Sequence, residues 1–265
     1  MEGVRLERSC KDWIRYGHQG GGVQAVRAWF AGSAFDRHRH DTYGIAVTDH
    51  GVQAFGYRGA RHHALPGDAI VLHPDELHDG GAGTDAGFGY RIVYVDPALV
   101  AAAAGGLPFV REPVVRSARL SRAVADCFDD PEDVDALALE LAEALVELAG
   151  GELPARRIDI AALDRARELL HAAADRVVRS VELEAASGLS RYELARQFRA
   201  RFGTSPYRYS LQRRLEAARQ RLGTQSTAEV ALEGGFADQA HFTRQFKRAF
   251  GVTPARYAFL TRGAT

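Results

Sequence analysis

Side chains able to do chemistry are unevenly spread along this 265-residue chain. Eight of its ten histidines fall between His18 and His78. The informative ones are His38 and His40, which flank Arg39, and His73 and His78 in the stretch PGDAIVLHPDELHDG. Alternate residues of a strand face one side, so a strand through 38–40 aims both imidazoles the same way, and a barrel can bring His78 beside them. Such a group can line a pocket, hold a metal or simply pack. Tyr43, Glu76, Arg91 and Tyr94 are further pocket candidates, since mixed polar groups and aromatics suit a small polar ligand.

A second set of chemistry-bearing residues is basic and repeated. SGLSRYELARQFRARFGTSP (187–206) and GGFADQAHFTRQFKRAFGVTP (234–254) align at an offset of 48, which pairs Arg196-Gln197-Phe198 with Arg244-Gln245-Phe246, Phe202-Gly203 with Phe250-Gly251, and Pro206 with Pro254. In each copy an apolar residue recurs every fourth position, Leu194, Phe198, Phe202 and Phe242, Phe246, Phe250, which marks one buried helix face. The opposite face carries Arg191, Tyr192, Ala195, Arg196 and Arg199 in the first copy and Gln239, Ala240, Thr243, Arg244 and Lys247 in the second. A short helix and a Gly turn precede each, so each unit reads helix, turn, helix. A helix of this size fits the DNA major groove, where Arg takes guanine O6 and N7 and Gln takes adenine N6 and N7.

The elements that must position these groups change character along the chain. From Val23 to Val95, short runs such as VQAVRAWF, DAIVLHP and FGYRIVYVD, broken by turn residues, read as an all-β barrel or sandwich. From Ser117 the period becomes helical, and Leu137, Leu141, Leu145 and Leu148 share one helix face that either packs on the barrel or meets a second copy of the chain. GGELP (150–154) breaks that helix and reads as a linker, giving expected domains of 1–155 and 156–265. Charge divides at the same place. Residues 156–265 hold 20 Arg plus Lys against 11 Asp plus Glu, a balance of +9, and the first 155 hold 14 against 23, or −9. A basic module that meets a polyanion joined to an acidic one that does not is the reading. No apolar run long enough for a membrane span occurs, and the amino end lacks a signal-peptide core, so a cytoplasmic protein is expected. Cys10 and Cys127 are too few and too far apart for a disulfide framework.

Residues from about Ile160 to Tyr257, and above all GGFADQAHFTRQFKRAFGVTPARY, resemble the DNA-binding domain of the AraC/XylS family of bacterial transcription regulators. The resemblance implies two helix-turn-helix units joined by a long helix, here Pro206 to Leu222, with the second helix of each unit in the major groove. The readers it implies are the exposed residues named above together with His241. Arg208, Arg213 and Arg214 on the joining helix are expected to serve phosphates or the packing between units. One departure stands out: Glu184 sits where the second unit has Ala231, which suggests a locally shifted first helix.

The histidine-bearing half resembles the cupin barrel and the amino-terminal sensor domain usual in AraC-type regulators. The cupin resemblance implies a divalent metal held by a His-x-His pair, a Glu and a later His, here His38, His40 and His78, with Gly44 or Ile45 where the Glu belongs. Three imidazoles can hold Zn or Fe with open positions. The sensor resemblance implies instead a small effector without metal, bound among His38, His40, Tyr43, Glu76, His78, Arg91 and Tyr94. The expected fold class is therefore α+β and multidomain: a cupin-like β-barrel with following helices, then an all-α domain with two helix-turn-helix units. The expected protein is an effector-responsive, sequence-specific regulator of transcription, an activator by family habit. Its partners would be double-stranded DNA, a small molecule, RNA polymerase and a second copy through the helices after the barrel. A metal-dependent cupin enzyme with a helical appendix, and a plain nucleoid-binding protein, are the alternatives.

Overall fold

The structure, a computed structural model, describes residues 12–128, 134–151, 153 and 158–261. Cys10 and most of the expected boundary segment lie outside the described residues.

Nine strands come first: β1 (Trp13–Gly20), β2 (Val23–Phe30), β3 (Ser33–His38), β4 (Tyr43–Gly51), β5 (Gln53–Tyr57), β6 (Ala60–Ala64), β7 (Ala69–Leu72), β8 (His78–Ala82) and β9 (Phe88–Val95). With a short β10 (Val114–Val115) they form two antiparallel sheets, ordered β1-β2-β9-β4-β7-β10 and β3-β8-β5-β6. Strand alternation divides the larger sheet's side chains between two cores. Val26, Ala28, Phe30, Ala46, Phe88, Tyr90 and Ile92 point between the sheets with Phe55 and Tyr57. Val23, Ala25, Tyr43, Ile45, Val47, Val93 and Val95 point outward and are covered by helices. Burial on both faces explains why these strands read as nearly continuous apolar runs.

The covering helices are α1 (Pro97–Ala104), α2 (Ala118–Asp126) and α3 (Val134–Leu148). Leu137, Leu141 and Leu145 are buried in that outward core, with Leu148 packed against it and Cys127 buried beside them as a free thiol. The leucine stripe is thus spent on the chain's own barrel, the first of its two expected uses.

The carboxyl-terminal half holds α4 (Ile160–Ala172), α5 (Ser180–Ser187), α6 (Arg191–Phe202), α7 (Pro206–Arg219), α8 (Thr227–Glu233), α9 (Gln239–Phe250) and α10 (Pro254–Thr261). Two small cores hold it together, one around Leu194, Phe198, Phe202 and Tyr209, the other around Leu215, Val230, Phe242 and Phe246. The joining helix α7 has 14 residues, about 21 Å, and not the 17 of the sequence reading, because the chain turns at Gln220. The halves interlock. Leu260 of α10 enters the core between the barrel's sheets, and Ala98 of α1 belongs to the core of the first helix-turn-helix unit.

Candidate effector cavity and DNA-reading faces

Each expected reading helix is built alike. Ser190 caps α6 by accepting from Glu193 N, Asp238 caps α9 by accepting from His241 N, and Gly203 and Gly251 close the helices in left-handed conformation at φ 70°. The buried stripes are as expected, with Phe250 only partly buried. Arg191, Tyr192, Arg196 and Arg199 on α6, and Gln239, Ala240 and Arg244 on α9, are exposed, while Ala195 and Thr243 are half-buried on the same faces. Two expected readers behave differently. His241 is half-buried, its ring 5.8 Å from Phe236 and its nitrogens next to Ala237 N and Gln245, so it braces the second unit. Lys247 forms an ion pair with Asp36 of the barrel at 2.7 Å.

Glu184 is half-buried near the turn of the first unit. Its carboxylate accepts from Arg191 N at 2.8 Å, at the start of α6, where the free N–H groups and the helix dipole favour an anion. Ala231, the matching residue, is 1% exposed and has no room for such a group.

The joining helix turns its arginines inward. Arg213 donates from Nη2 to both oxygens of Asp41 at 3.1 and 2.8 Å, and Arg208 pairs with Asp75, which also faces Arg39 at 3.6 Å. Arg214 donates to Gly234 O and Gly235 O, fixing the Gly turn of the second unit. Phosphate service is therefore not what Arg208 and Arg213 do in this arrangement, in which they tie the DNA-binding half to the barrel. Asp36 N and Arg39 N donate to Gly251 O at 2.9 Å and Arg248 O at 3.1 Å, so strand β3 caps the end of α9. Both cap glycines lean on the barrel. A Cβ on Gly203 would lie 2.6 Å from Pro74 Cβ, and one on Gly251 2.7 Å from Phe35 Cβ.

Between the halves lies a cavity of about 330 Å³. The barrel contributes Tyr16, Phe35, His38, His40, Asp41, Tyr90 and Tyr94 to its wall. The carboxyl-terminal half contributes Tyr209, Gln212, Arg213, Glu216, Arg219 and Tyr257. Tyr16 and Tyr257 share a hydroxyl contact of 2.6 Å, and Arg219 Nη1 donates to Tyr16 at 3.0 Å. Burial pushes the Tyr94 phenol up to about 12 and Tyr90 well above its usual range, so both stay protonated.

The three expected histidines do come together, with ring centroids 4.3 Å apart for His38 and His78, 4.8 Å for His40 and His78, and 6.3 Å for His38 and His40. Each turns Nδ1 to a carbonyl, of Asp36, Thr42 and Glu76 at 2.8, 2.9 and 3.0 Å, which places the proton on Nδ1. Burial lowers His38 to about 4 and His40 to about 3, and lowers His78 well below the usual value, so all three are neutral at pH 7. The metal that the cupin resemblance implies would need their Nε2 atoms, of which that of His40 is buried without a hydrogen-bond partner. Among the described residues no three His, Cys, Asp or Glu side chains are arranged to hold an ion. At Gly44, one of the two positions expected for the glutamate, a Cβ would meet the His40 ring at 3.1 Å. His40 already fills the space of a carboxylate there.

Of the seven expected effector residues, His38, His40 and Tyr94 line the cavity and His78 backs the other two imidazoles. Tyr43, Glu76 and Arg91 do not. Tyr43 lies on the outward face of β4 and donates to Pro108 O at 2.8 Å. Glu76 is taken up by Tyr57 and by Arg58 Nε at 2.7 Å, and Arg91 pairs with Asp49 at 2.9 Å. Sequence reasoning missed the wall supplied by α7 and α10, and Tyr16 and Tyr90 in the barrel. The strand phase shared by Tyr90, Ile92 and Tyr94 was the one available signal for the last.

A barrel that presents a ligand-sized cavity to a double helix-turn-helix domain is the architecture of a ligand-binding transcription regulator. Residues 20–149 match the AraC-like ligand binding domain and residues 183–258 match a helix-turn-helix domain. The chain belongs to the AraC family of transcription regulators, with an amino-terminal cupin-like domain. Solved structures of ToxT from Vibrio cholerae share the whole architecture. ToxT of strain O395 is 13% identical, with a TM-score of 0.64 over 92% of this chain and 100% of that one. ToxT of strain SCE256 with an unsaturated fatty acid bound is also 13% identical, with a TM-score of 0.62 over 98% of this chain and 99% of that one. No curated protein matches.

Proposed function

We propose that the chain is a sequence-specific DNA-binding regulator whose effector occupies the cavity between barrel and joining helix. Residues 1–155 act as the sensing domain and 156–265 as the DNA-binding domain. The observation that carries the reading is the shared wall: His38, His40 and Tyr94 on one side face Arg213 and Arg219 on the other, so a molecule bound there contacts both halves at once. A ligand with different affinity for the docked and undocked arrangements shifts their balance, and with it the placing of the two reading helices. The ToxT structure with an unsaturated fatty acid supports a small-molecule effector for this chain too. In this reading the protein is a cytoplasmic regulator and not a cupin enzyme, acts as a homodimer, and contacts RNA polymerase as an activator. No helix among the described residues is long and apolar enough to cross a membrane.

Arg196 and Arg244 are the principal base readers, from exposed and equivalent positions of α6 and α9. Binding to promoter fragments tests this. Arg196→Ala and Arg244→Ala are each expected to cost about 1–3 kcal/mol and to relax preference at separate base positions. Wild-type binding of equal strength to every sequence would refute the reading.

A further inference from the structure

We propose that the interdomain cavity is built for an uncharged ligand, one that carries hydroxyl or carbonyl groups on an apolar body, and that it selects against carboxylates. The inference rests on the cavity being the effector site. Among the described residues the cations in the wall are Arg213 and Arg219, and each holds a carboxylate, with Nε of each buried without a hydrogen-bond partner. Arg213 spends Nη2 on both oxygens of Asp41, and its guanidinium lies over the Tyr209 ring at 5.1 Å. Arg219 spends Nη2 on Glu216 at 2.8 Å and Nη1 on Tyr16 at 3.0 Å, and is boxed by the rings of Tyr16, Phe250 and Tyr257 at 5.4, 5.5 and 5.7 Å. Asp96, the third carboxylate of the wall, pairs with Arg167 outside it at 3.9 Å, so the described charges around the cavity balance.

An incoming acid must therefore compete with the carboxylate tethered beside each arginine, or bring an unpaired charge into a cavity whose charges already balance. Competition with the tethered carboxylate, or desolvation of the unpaired charge, weakens binding roughly tenfold or more. The imidazoles do not tip the balance, because His38 and His40 carry their protons on Nδ1, turned to backbone carbonyls. Tyr90, Tyr94 and Gln212 line the cavity without a side-chain hydrogen bond to any described residue. Two phenols and a primary amide both donate and accept, and none is charged. Ile14, Val26, Phe35 and Phe250 supply the apolar remainder. A hydroxyl- or carbonyl-bearing molecule satisfies this wall without breaking an ion pair.

Calorimetric titration of the full chain with matched pairs tests the proposal: octan-1-ol with octanoate, benzyl alcohol with benzoate, and glucose with glucuronate. In at least one pair the neutral member should bind about tenfold tighter than its acid or better. Glu216→Gln, which releases Arg219, should strengthen binding of the acid about tenfold and leave the neutral member unchanged. An acid that binds as tightly as its neutral partner, or failure of every neutral member to bind, overturns the proposal. Filling the cavity with Val26→Trp, or with Ile14→Trp if the first does not fold, separates the two levels of inference. Neutral binding that survives a folded filling variant removes the cavity as the site. Acid binding that is preferred but lost in that variant keeps the site and removes only the ligand class.

Discussion

Replacing Asp41 by alanine should loosen the barrel from the joining helix by an amount the structure allows to be worked out. The Asp41 side chain is 7% exposed and that of Arg213 is 25% exposed. Breaking a fully buried pair by removing one partner costs about 3–5 kcal/mol, because the remaining charge is left without compensation. The quarter of Arg213 in contact with solvent softens that penalty, giving about 2–3 kcal/mol, or roughly 30- to 150-fold in the docking equilibrium. The assay is amide hydrogen exchange at Asp36 and Arg39, since both N–H groups donate across the interface to α9 and are released when the halves separate. Their exchange should accelerate by that factor, while Val93, inside the larger sheet, keeps its protection. Arg213→Ala should have the same effect from the other side of the interface, which guards against a purely local disturbance near residue 41. Unchanged exchange at residues 36 and 39 in both variants, or an equal rise at Val93, would show that the pair is not what holds the halves together.

Asp36→Ala should release Lys247 for a phosphate and steepen the salt dependence of DNA binding by about one unit of slope. His73 has a pKa near 4, lowered first by burial and then by Arg58, against 6.5 when unfolded. A depressed value means that its stabilising share is whole above pH 6.5 and is lost as pH falls toward 4. Urea unfolding at pH 7 and pH 4.5 should therefore show His73→Gln losing about 2.5 kcal/mol less than wild type over that interval. Glu184→Ala should cost about 0.5–1.5 kcal/mol by uncapping Arg191 N, whereas Ala231→Glu should cost about 3 kcal/mol or more by burying a carboxylate. Thermal melts of the two variants compare them directly.

What was legible in the sequence was local. Period-two runs, the four-residue stripes of α6 and α9 and the helical duplication are carried by neighbouring residues, and all appear in the structure. The pocket was legible only in part, because proximity in sequence to the histidines stood in for strand phase. Arg91 and Tyr94 are three residues apart on β9 and so face opposite sides, and only Tyr94 reaches the cavity. The other wall lies far along the chain, with Arg213 placed 172 residues after Asp41, and there Arg213 and Arg219 read as ordinary basic residues of a DNA-binding domain. No local pattern marks an arginine as turned toward a barrel carboxylate.

The contacts of Gly203 and Gly251 with the barrel bear on how the protein measures DNA. Each glycine ends one reading helix and touches a different part of a single body, the loop at Pro74 in one case and strand β3 in the other. In the proposed reading the docked barrel works as a caliper whose two jaws rest on the two expected reading helices. Helix α7 alone would let the pair flex toward operators with an extra or missing base pair between their two boxes. While the jaws are closed the spacing is fixed, so tolerance of altered spacing becomes a readout of how far the barrel has let go.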